Sequence, residues 1–231
     1  MNHCRIHPRS RAADPGIVAR FAGLPTSIVS DSQERVGGAP GILPIAPFAL
    51  EQRVAGPALT VRTRGGDNLA IHQALRLLRP GDVLTIDGGG HLDRAVLGEI
   101  MLRQAKASGA AAIVVDGVVR DRDGIVQQGL PVLARGVCHL GPYKNGPGEI
   151  HGTIRMGDTV VRDGDLVVAD NDGVVFVASD RVERVLDIAE GRARAEETIL
   201  ASASRGELDF SWLDESLEIE WLSDGSDEEG R

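Results

Sequence analysis

Residues 83–116 carry the pattern that most restricts how this chain can fold. Val83–Asp87 is a short apolar run, a helical pattern covers about residues 95–107, and Ala111–Val115 is a second apolar run. Gly88-Gly89-Gly90 separates the first run from the helix. Two strands joined by one helix within a short stretch pair in parallel with a right-handed crossover. The sequence therefore predicts an α/β fold with a central βαβ unit.

Other patterns place further elements around this unit. Alternating apolar residues at 56–63 predict a half-buried strand. Asp170-Asn171-Asp172-Gly173 predicts the turn of a hairpin between 166–169 and 174–177. Helical patterns with capping residues predict helices over residues 26–36, 67–78 and 180–203.

Charge is distributed unevenly along the chain. The formal net charge is −9, and residues 206–231 hold ten acids and a single base, which accounts for all of it. The rest of the chain is charge-balanced. We therefore divide the sequence into an N-terminal leader at 1–25 (loose, at least over its first dozen residues), one α/β domain at 26–205 and an acidic tail at 206–231.

The acidic tail carries an apolar stripe. Phe210, Leu213, Leu217 and Trp221 follow helical spacing, which predicts an amphipathic helix over 208–222 that docks on a neighbouring subunit. A solvated, frayed terminus is the alternative interpretation.

Composition excludes several classes of protein. A neutral body with no Lys/Arg stripe lacks the electrostatic footprint of a nucleic-acid-binding protein. No apolar run reaches the ~18 residues of a transmembrane helix, and Cys4 and Cys138 are too few for a disulfide scaffold or a zinc site. We expect a cytoplasmic protein that binds neither nucleic acid nor membranes.

Charged residues follow both strands of the βαβ unit. Gly98-Glu99 lies in the first turn of the connecting helix, and Arg120-Asp121 comes soon after Asp116-Gly117, where we expect the second strand to turn. Parallel strands point their carboxyl ends to the same edge of a sheet, so the loops after Ile86 and Val115 are expected to open into one crevice. The pattern predicts a ligand site in that crevice.

The residue types in the crevice suggest its chemistry. Unpaired N–H groups at the helix start, together with Arg120, suit a small carboxylate. Asp121 and Glu99 offer hard oxygen ligands, which suit Mg²⁺ or Mn²⁺ better than zinc. The two lysines of the chain, Lys106 and Lys144, lie late in a helix and in a glycine-rich loop, which argues against a lysine Schiff base.

Simpler interpretations exist for each of these features. The triple glycine can be a tight turn, Arg120-Asp121 a surface ion pair, and Glu99 a residue that answers the helix dipole. Their convergence on one edge of the sheet favours a site.

Several segments of the chain resemble, in order and spacing, the RraA-like family. They are Gly88-Gly89-Gly90, Ala95-x-x-Gly98-Glu99, Gly109, Val115-Asp116-Gly117-x-x-Arg120-Asp121 and Gly164-Asp165-x-x-x-x-Asp170-x-Asp172-Gly173-Val174. The resemblance implies a swivelling β/β/α fold. It also implies a homotrimer, or a hexamer of two trimers, with sites between subunits.

The same resemblance implies a role for each site residue. Arg120 would hold pyruvate and its enolate, and Asp121 would bind Mg²⁺ or Mn²⁺ directly. Glu99 would contact the metal through water, and backbone N–H groups of the segment Gly98, Glu99, Ile100 and Met101 would hold the pyruvate carboxylate. Glu196 of a neighbouring subunit would reach the metal-bound waters, with the adjacent Glu197 as the alternative.

The family includes aldolases that act on 4-hydroxy-4-methyl-2-oxoglutarate and 4-carboxy-4-hydroxy-2-oxoadipate. The resemblance therefore implies a metal-dependent carbon–carbon lyase that releases pyruvate from a small 2-oxo dicarboxylic or tricarboxylic acid, with oxaloacetate decarboxylation as a side activity. The other known use of the fold, a non-catalytic regulator of ribonuclease E activity, is the alternative. The complete set of Glu99, Arg120 and Asp121 favours the enzyme.

Overall fold

The computed structural model describes residues 3–50 and 52–220. The chain forms two compact units, one that ends at Ala193 and one that begins at Arg194. The strands are β1 Cys4–Ile6, β2 Leu43–Pro44, β3 Val54–Thr63, β4 Val83–Leu97, β5 Ala112–Val119, β6 Val132–Val137, β7 Gly148–Ile150, β8 Ile154–Met156, β9 Thr159–Val161, β10 Leu166–Asp170 and β11 Gly173–Val177. The helices are α1 Pro15–Phe21, α2 Thr26–Asp31, α3 Leu69–Leu75, α4 Glu99–Ala107, α5 Arg122–Gln128, α6 Val182–Ser204 and α7 Ser211–Ser216.

A large mixed sheet forms the centre of the first unit, with strand order β1-β7-β3-β4-β5-β6-β2. Neighbouring strands from β3 to β6 are parallel, whereas β7 and β2 run antiparallel to β3 and β6. The β4–α4–β5 segment is the predicted βαβ unit, so the α/β prediction is confirmed.

Apolar side chains alternate along the central strands and build a core on each face of the sheet. Leu84 and Ile86 of β4 belong to the core under α3, α4 and α5. Val83 belongs to the core on the other face, which is formed with β8, β9, β10 and β11. A further core packs α1, α2 and the first half of α6 against β10 and β11. This layering of helices, sheet and second β layer agrees with the β/β/α fold that the resemblance implies.

The hairpin of β10 and β11 forms as predicted around Asp170-Asn171-Asp172-Gly173. Leu166 lies opposite Val177, and Ala169 lies opposite Val174. Asp170 accepts hydrogen bonds from the backbone N–H and the hydroxyl of Thr26, at 2.9 and 2.6 Å. This carboxylate therefore fastens the start of α2 to the hairpin.

The first strand of the βαβ unit is much longer than predicted. The sequence suggests a strand that ends at Asp87, but β4 continues through Gly88-Gly89-Gly90 to Leu97. Extra residues bulge out of the β4–β5 ladder before His91 and again before Ala95. Gly89 and Gly90 take positive φ values of 66° and 67°, which lets the chain leave the ladder and return.

Two further predictions in this region are wrong for the same reason. Asp116-Gly117 does not turn the chain, because β5 continues to Val119. The helix begins at Glu99 rather than near residue 95, because Ala95–Leu97 is still paired with β5. Buried apolar contacts there outweigh the local tendency of glycine to end a strand.

The leader is partly ordered, contrary to expectation. Cys4–Ile6 pairs in parallel with β7, and Asp14 Oδ1 caps α1 by accepting from Gly16 N at 2.8 Å. Phe21 of α1 is fully buried. The helices predicted over 26–36 and 67–78 are shorter than expected and are formed by α2 and α3.

The second unit holds the second half of α6 and the short helix α7. Of the predicted helix over 208–222, the part that the structure describes, 208–220, is helical at Ser211–Ser216 only, and Phe210 and Trp212 are exposed. Trp221, a member of the predicted apolar stripe, lies outside the described residues. In residues 3–50 and 52–220 no helix has the length and apolarity that a bilayer crossing requires.

Candidate active site

The ends of β4 and β5 lie side by side and bring the predicted site residues together. Leu97 is paired with Val119 at the last rung of the ladder, and Arg120 N donates to Leu97 O at 2.9 Å. Gly98-Glu99 and Arg120-Asp121 follow immediately. The crevice thus lies at the carboxyl ends of two parallel strands, ten residues further along β4 than the sequence suggests.

Asp121 has a left-handed backbone conformation, which is uncommon for residues other than glycine. It is the N-cap residue of α5, with φ 62° and ψ 47°, and its side chain makes no capping hydrogen bond to that helix. Its Oδ2 accepts from Glu99 N at 3.1 Å and lies 3.7 Å from Arg120 Nε. A non-glycine residue in this region costs of the order of 1–3 kcal/mol, a strain often found at functional sites.

Two glycines make room for the site carboxylates. A Cβ on Gly98 would lie 2.5 Å from Asp121 Oδ2, and a Cβ on Gly124 would collide with the Glu99 carboxylate. Gly98 has extended φ and ψ of −144° and −172°, so its glycine is needed for space and not for backbone conformation. Because Gly98 and Gly124 have no side chains, the carboxylates of Asp121 and Glu99 can lie against the backbone at the starts of α4 and α5.

Glu99 is already paired within its own helix. Arg103 Nε and Nη2 both donate to Glu99 Oε1, at 2.8 and 2.6 Å. This i, i+4 pair stabilises the helix, in addition to the interaction with the helix dipole that the simpler interpretation of Glu99 gives it.

The first turn of α4 lies beside the Asp121 carboxylate at the ends of β4 and β5. Its N–H groups have no partner inside the helix, and that of Glu99 is taken by Asp121. Ile100 and Met101 supply the remaining N–H groups of the predicted carboxylate cradle. Anions bind favourably at such a helix start, because the N–H groups and the helix dipole point towards them.

A cavity of about 340 Å³ opens beside this helix start. Of the predicted site residues, Gly98, Ile100, Met101 and Arg120 line it, whereas Glu99 and Asp121 lie beside these residues and are not part of the lining. Leu97 at the end of β4 lines it too, and the rest of the lining comes from two segments that the sequence did not indicate as part of a site. These are the start of α3, with Asn68 and His72, and the loop after β6, with Gly141, Pro142 and Lys144.

Asn68 is the most telling of the additional residues. It is 3% exposed, and its Nδ2 lies 3.3 Å from Met101 Sδ. Its Oδ1 has no hydrogen-bond partner within the described part of the chain. A buried unsatisfied carbonyl costs about 1–3 kcal/mol, so its position in the cavity lining favours a ligand that donates a hydrogen bond.

His72 lies on α3 at the rim of the same cavity. Burial lowers the pKa of its imidazole, and the positive charge of Lys144 lowers that pKa further. The imidazole is therefore neutral near pH 7. Lys144 belongs to the site through its place in the cavity lining, which has no counterpart in the local sequence.

The donor set can be tested against a metal ion. In the described residues, 3–50 and 52–220, no group of three His, Cys, Asp or Glu is placed to hold one. Mg²⁺ keeps several waters and is usually bound through one or two carboxylates. Asp121 and Glu99 fit such a site and do not fit structural zinc. Glu196 and Glu197 lie on the part of α6 that belongs to the second unit and are exposed.

Comparison with known proteins identifies relatives over most of the chain. A protein-family model described as RraA-like (Aldolase/RraA) matches residues 26–176. A protein of Halalkalibacterium halodurans, named as a candidate 4-hydroxy-4-methyl-2-oxoglutarate aldolase, is 35% identical over 185 residues. That alignment covers 80% of this chain and 87% of the relative.

Solved structures with a different name share the fold. Streptomyces coelicolor RraAS2, described as an unusual member of the RNase ES inhibitor RraA family, is similar with a TM-score of 0.73 and 26% identity over 81% of this chain and 98% of that one. The RNA-processing inhibitor RraA from Thermus thermophilis gives a TM-score of 0.60 and 29% identity over 66% and 92%. Relatives named as aldolases and as RNase inhibitors are thus both similar to this chain.

Proposed function

The chain belongs to the RraA-like family, and from this premise we propose that it is a divalent-metal-dependent lyase that releases pyruvate from 4-hydroxy-4-methyl-2-oxoglutarate or 4-carboxy-4-hydroxy-2-oxoadipate. The observation that carries the proposal is the strained Asp121. Its carboxylate leaves its own helix uncapped and lies with Arg120 at the first turn of α4. The name of the Halalkalibacterium relative supports the same reaction class.

The protein's own groups have distinct tasks in this reaction. The N–H groups of Ile100 and Met101 and the guanidinium of Arg120 bind the 2-oxo acid end of the substrate. As the C3–C4 bond breaks, the 4-hydroxyl group gives its proton to water and becomes the carbonyl of the second product. The electron pair of the C3–C4 bond passes into the C2 carbonyl and leaves an enolate. Arg120 stabilises the negative charge that develops on that oxygen, and protonation at C3 then gives pyruvate.

Asp121 would hold Mg²⁺ or Mn²⁺ directly and Glu99 would hold it through water. When bound, the ion supplies a Lewis acid that draws electron density from the 2-oxo acid. Glu196, or Glu197, of a neighbouring subunit would complete the site in a homotrimer or a hexamer of two trimers. Loss of CO₂ from oxaloacetate leaves the same enolate, so decarboxylation is a side activity of this site in a cytoplasmic enzyme.

A second candidate function follows from the solved relatives. The structures from Streptomyces and Thermus carry the names of RNase inhibitors, which supports a non-catalytic regulator of a ribonuclease E type enzyme. A regulator acts through its surface and has no physical need for a strained carboxylate beside a cavity. We therefore place this function second.

The deciding experiment measures pyruvate release from 4-hydroxy-4-methyl-2-oxoglutarate and from oxaloacetate, with Mg²⁺ or Mn²⁺ and with excess EDTA. We expect release from both substrates that stops with EDTA. Asp121→Asn should abolish the metal-dependent release while leaving the fold intact, because Asn also tolerates positive φ. Absent or metal-independent release from both substrates contradicts the enzyme, and inhibition of a ribonuclease E type enzyme by the Asp121→Asn variant would then support the regulator.

A further inference from the structure

We propose that Lys144 binds the second carboxylate of the substrate, the one remote from the 2-oxo acid end, and so selects dicarboxylates. The inference rests on the proposed lyase function and assigns a residue to substrate choice within that site. It comes from the loop after β6, which holds Lys144 at the cavity, and from the charges around the cavity.

The loop is fixed on both sides of Lys144. Before it, Tyr143 N donates to Gly66 O at 2.8 Å, and Tyr143 O accepts from Asn68 N at 3.0 Å. After it, Asn145 N and Gly146 N donate to Asp67 Oδ2, at 2.7 and 3.0 Å. The backbone that carries Lys144 is therefore tied to the segment that leads into α3.

Asp67 is the centre of this attachment. Its side chain is completely buried, and Oδ1 accepts from Leu69 N at 2.9 Å, which caps α3. One carboxylate thus positions both Lys144 and the helix that carries His72. Arg94 adds a second attachment, because its Nη1 donates to Gly141 O at 2.9 Å.

The charges around the cavity favour a ligand with two negative groups. The described residues that line it include two fixed cations, Arg120 and Lys144, and no carboxylate. Arg64 and Arg94 both lie over the Tyr143 ring, 5.5 and 4.2 Å from its centre, and Arg64 also pairs with Asp67 at 3.5 Å.

The apolar part of the lining agrees with this assignment. Leu97, Ile100 and Met101 line the cavity together with the two cations. A substrate with a short carbon skeleton between two carboxylates matches that pattern, since its apolar middle contacts these side chains and its ends meet Arg120 and Lys144.

The first test compares two substrates that differ at one group. 4-Hydroxy-4-methyl-2-oxopentanoate carries a methyl group where 4-hydroxy-4-methyl-2-oxoglutarate carries the second carboxylate. Lys144→Gln should lower kcat/KM for the dicarboxylate by about 10- to 100-fold, the usual effect of losing a hydrogen bond to a charged group. The monocarboxylate should change by less than about 2-fold, since by hypothesis it makes no contact with Lys144.

The chain offers a matched control for this variant. Lys106, the other lysine, lies on α4 and donates to Gln128 O, outside the cavity lining. Lys106→Gln should leave both substrates unchanged, and Lys144→Arg should restore part of the activity on the dicarboxylate. Equal losses on both substrates in Lys144→Gln, or no loss on either, would overturn the assignment.

A binding measurement tests the assignment without catalysis. Acetylation of Lys144 and Lys106 by an amine-reactive acetyl ester is followed by mass spectrometry with Mg²⁺ present. 2-Oxoglutarate should slow acetylation of Lys144 by at least about 5-fold, whereas 2-oxopentanoate should have little effect and Lys106 should react equally in all samples. Equal protection of Lys144 by both compounds, or none, contradicts the proposal even if the protein proves not to be a lyase.

Discussion

Two glycine-containing segments lie beside carboxylates, one within the central strands and one at their ends, and they differ in how the hydrogen-bonding capacity of the carboxylates is satisfied. In the bulge at Gly88-Gly89-Gly90, Asp87 accepts from Gly89 N and Arg155 N at 3.0 and 3.1 Å. Asp116 accepts from Gly157 N at 2.8 Å and pairs with Arg135. Both carboxylates are almost fully buried.

At the strand ends the corresponding carboxylate is only partly satisfied. The Asp121 side chain is 45% exposed, with Glu99 N at 3.1 Å and Arg120 Nε at 3.7 Å. A carboxylate whose oxygens are taken up by backbone N–H groups stabilises a fold. A carboxylate held in a strained conformation beside a cavity is placed to bind something else. The bulge should therefore affect stability and the strand ends should affect activity.

The largest effect should come from Arg120 at the strand ends. Arg120→Gln removes the charge that stabilises the enolate, and we expect kcat/KM for pyruvate release to fall by about 10²- to 10³-fold. The melting temperature should stay within about 2 °C of the original, because the Arg120 side chain is 41% exposed and its ion pair is worth little. Steady-state kinetics and calorimetry check both parts, and near-normal kcat/KM would contradict the role.

Asp116→Ala, on β5 opposite the start of the bulge, should show the opposite pattern. It leaves Arg135 without its partner and Gly157 N without an acceptor, and we expect a loss of about 3 kcal/mol in the free energy of unfolding. The kcat/KM per folded molecule should change by less than about 3-fold. Urea unfolding and active-site titration measure the two quantities, and a large kcat/KM loss in a stable variant would break the comparison.

A pair of glycine variants distinguishes a glycine that is needed because a side chain would not fit from one that is needed for its positive φ. Gly98→Ala keeps an allowed φ but pushes on the Asp121 carboxylate, so kcat/KM should fall by about 10- to 100-fold with little change in stability. Gly89→Ala meets no atom within 4 Å but forces alanine to a φ of 66°. That costs about 1–2 kcal/mol of stability and should leave kcat/KM unchanged. If Gly89→Ala proved the more harmful to kcat/KM, the two roles would be reversed.

The sequence predicts the parallel βαβ unit because apolar periodicity is a local signal that burial preserves. It misses the course of β4 between Asp87 and Leu97, because a glycine run looks the same whether it ends a strand or bulges from it. Only the pairing of Ala95–Leu97 with β5, a long-range contact, distinguishes the two.

The same division applies to the candidate site. Glu99, Arg120 and Asp121 are found from sequence because strand ends gather residues at one edge whatever the exact strand length. The sequence does not indicate Asn68, His72 and Lys144. Asn68 and His72 belong to the start of α3, Lys144 belongs to the loop after β6, and the two segments are brought together by the hydrogen bonds of that loop to Asp67. Nothing in the residues around Lys144 indicates that contact.

The smallest expected effect concerns the titration of His72. Lys144→Gln removes a positive neighbour that disfavours the imidazolium, so the pKa of His72 should rise towards the ordinary value of 6.5. It should not reach that value, because burial is the larger cause of the lowered pKa and remains in the variant. At a pH just below 6.5, a larger fraction of His72 should therefore be protonated in the variant than in the original protein.

NMR titration of the histidine ring protons measures this pKa, with the His72 signal assigned from its disappearance in His72→Gln. Lys106→Gln serves as the control and should leave the titration of His72 unchanged. Unlike the carboxylates of the bulge, which are held by fixed backbone N–H groups, His72 responds to a charge across the cavity. An unchanged pKa in Lys144→Gln would mean that Lys144 does not reach this side of the cavity, and the distinction between the two regions would then rest on Arg120 and Asp121 alone.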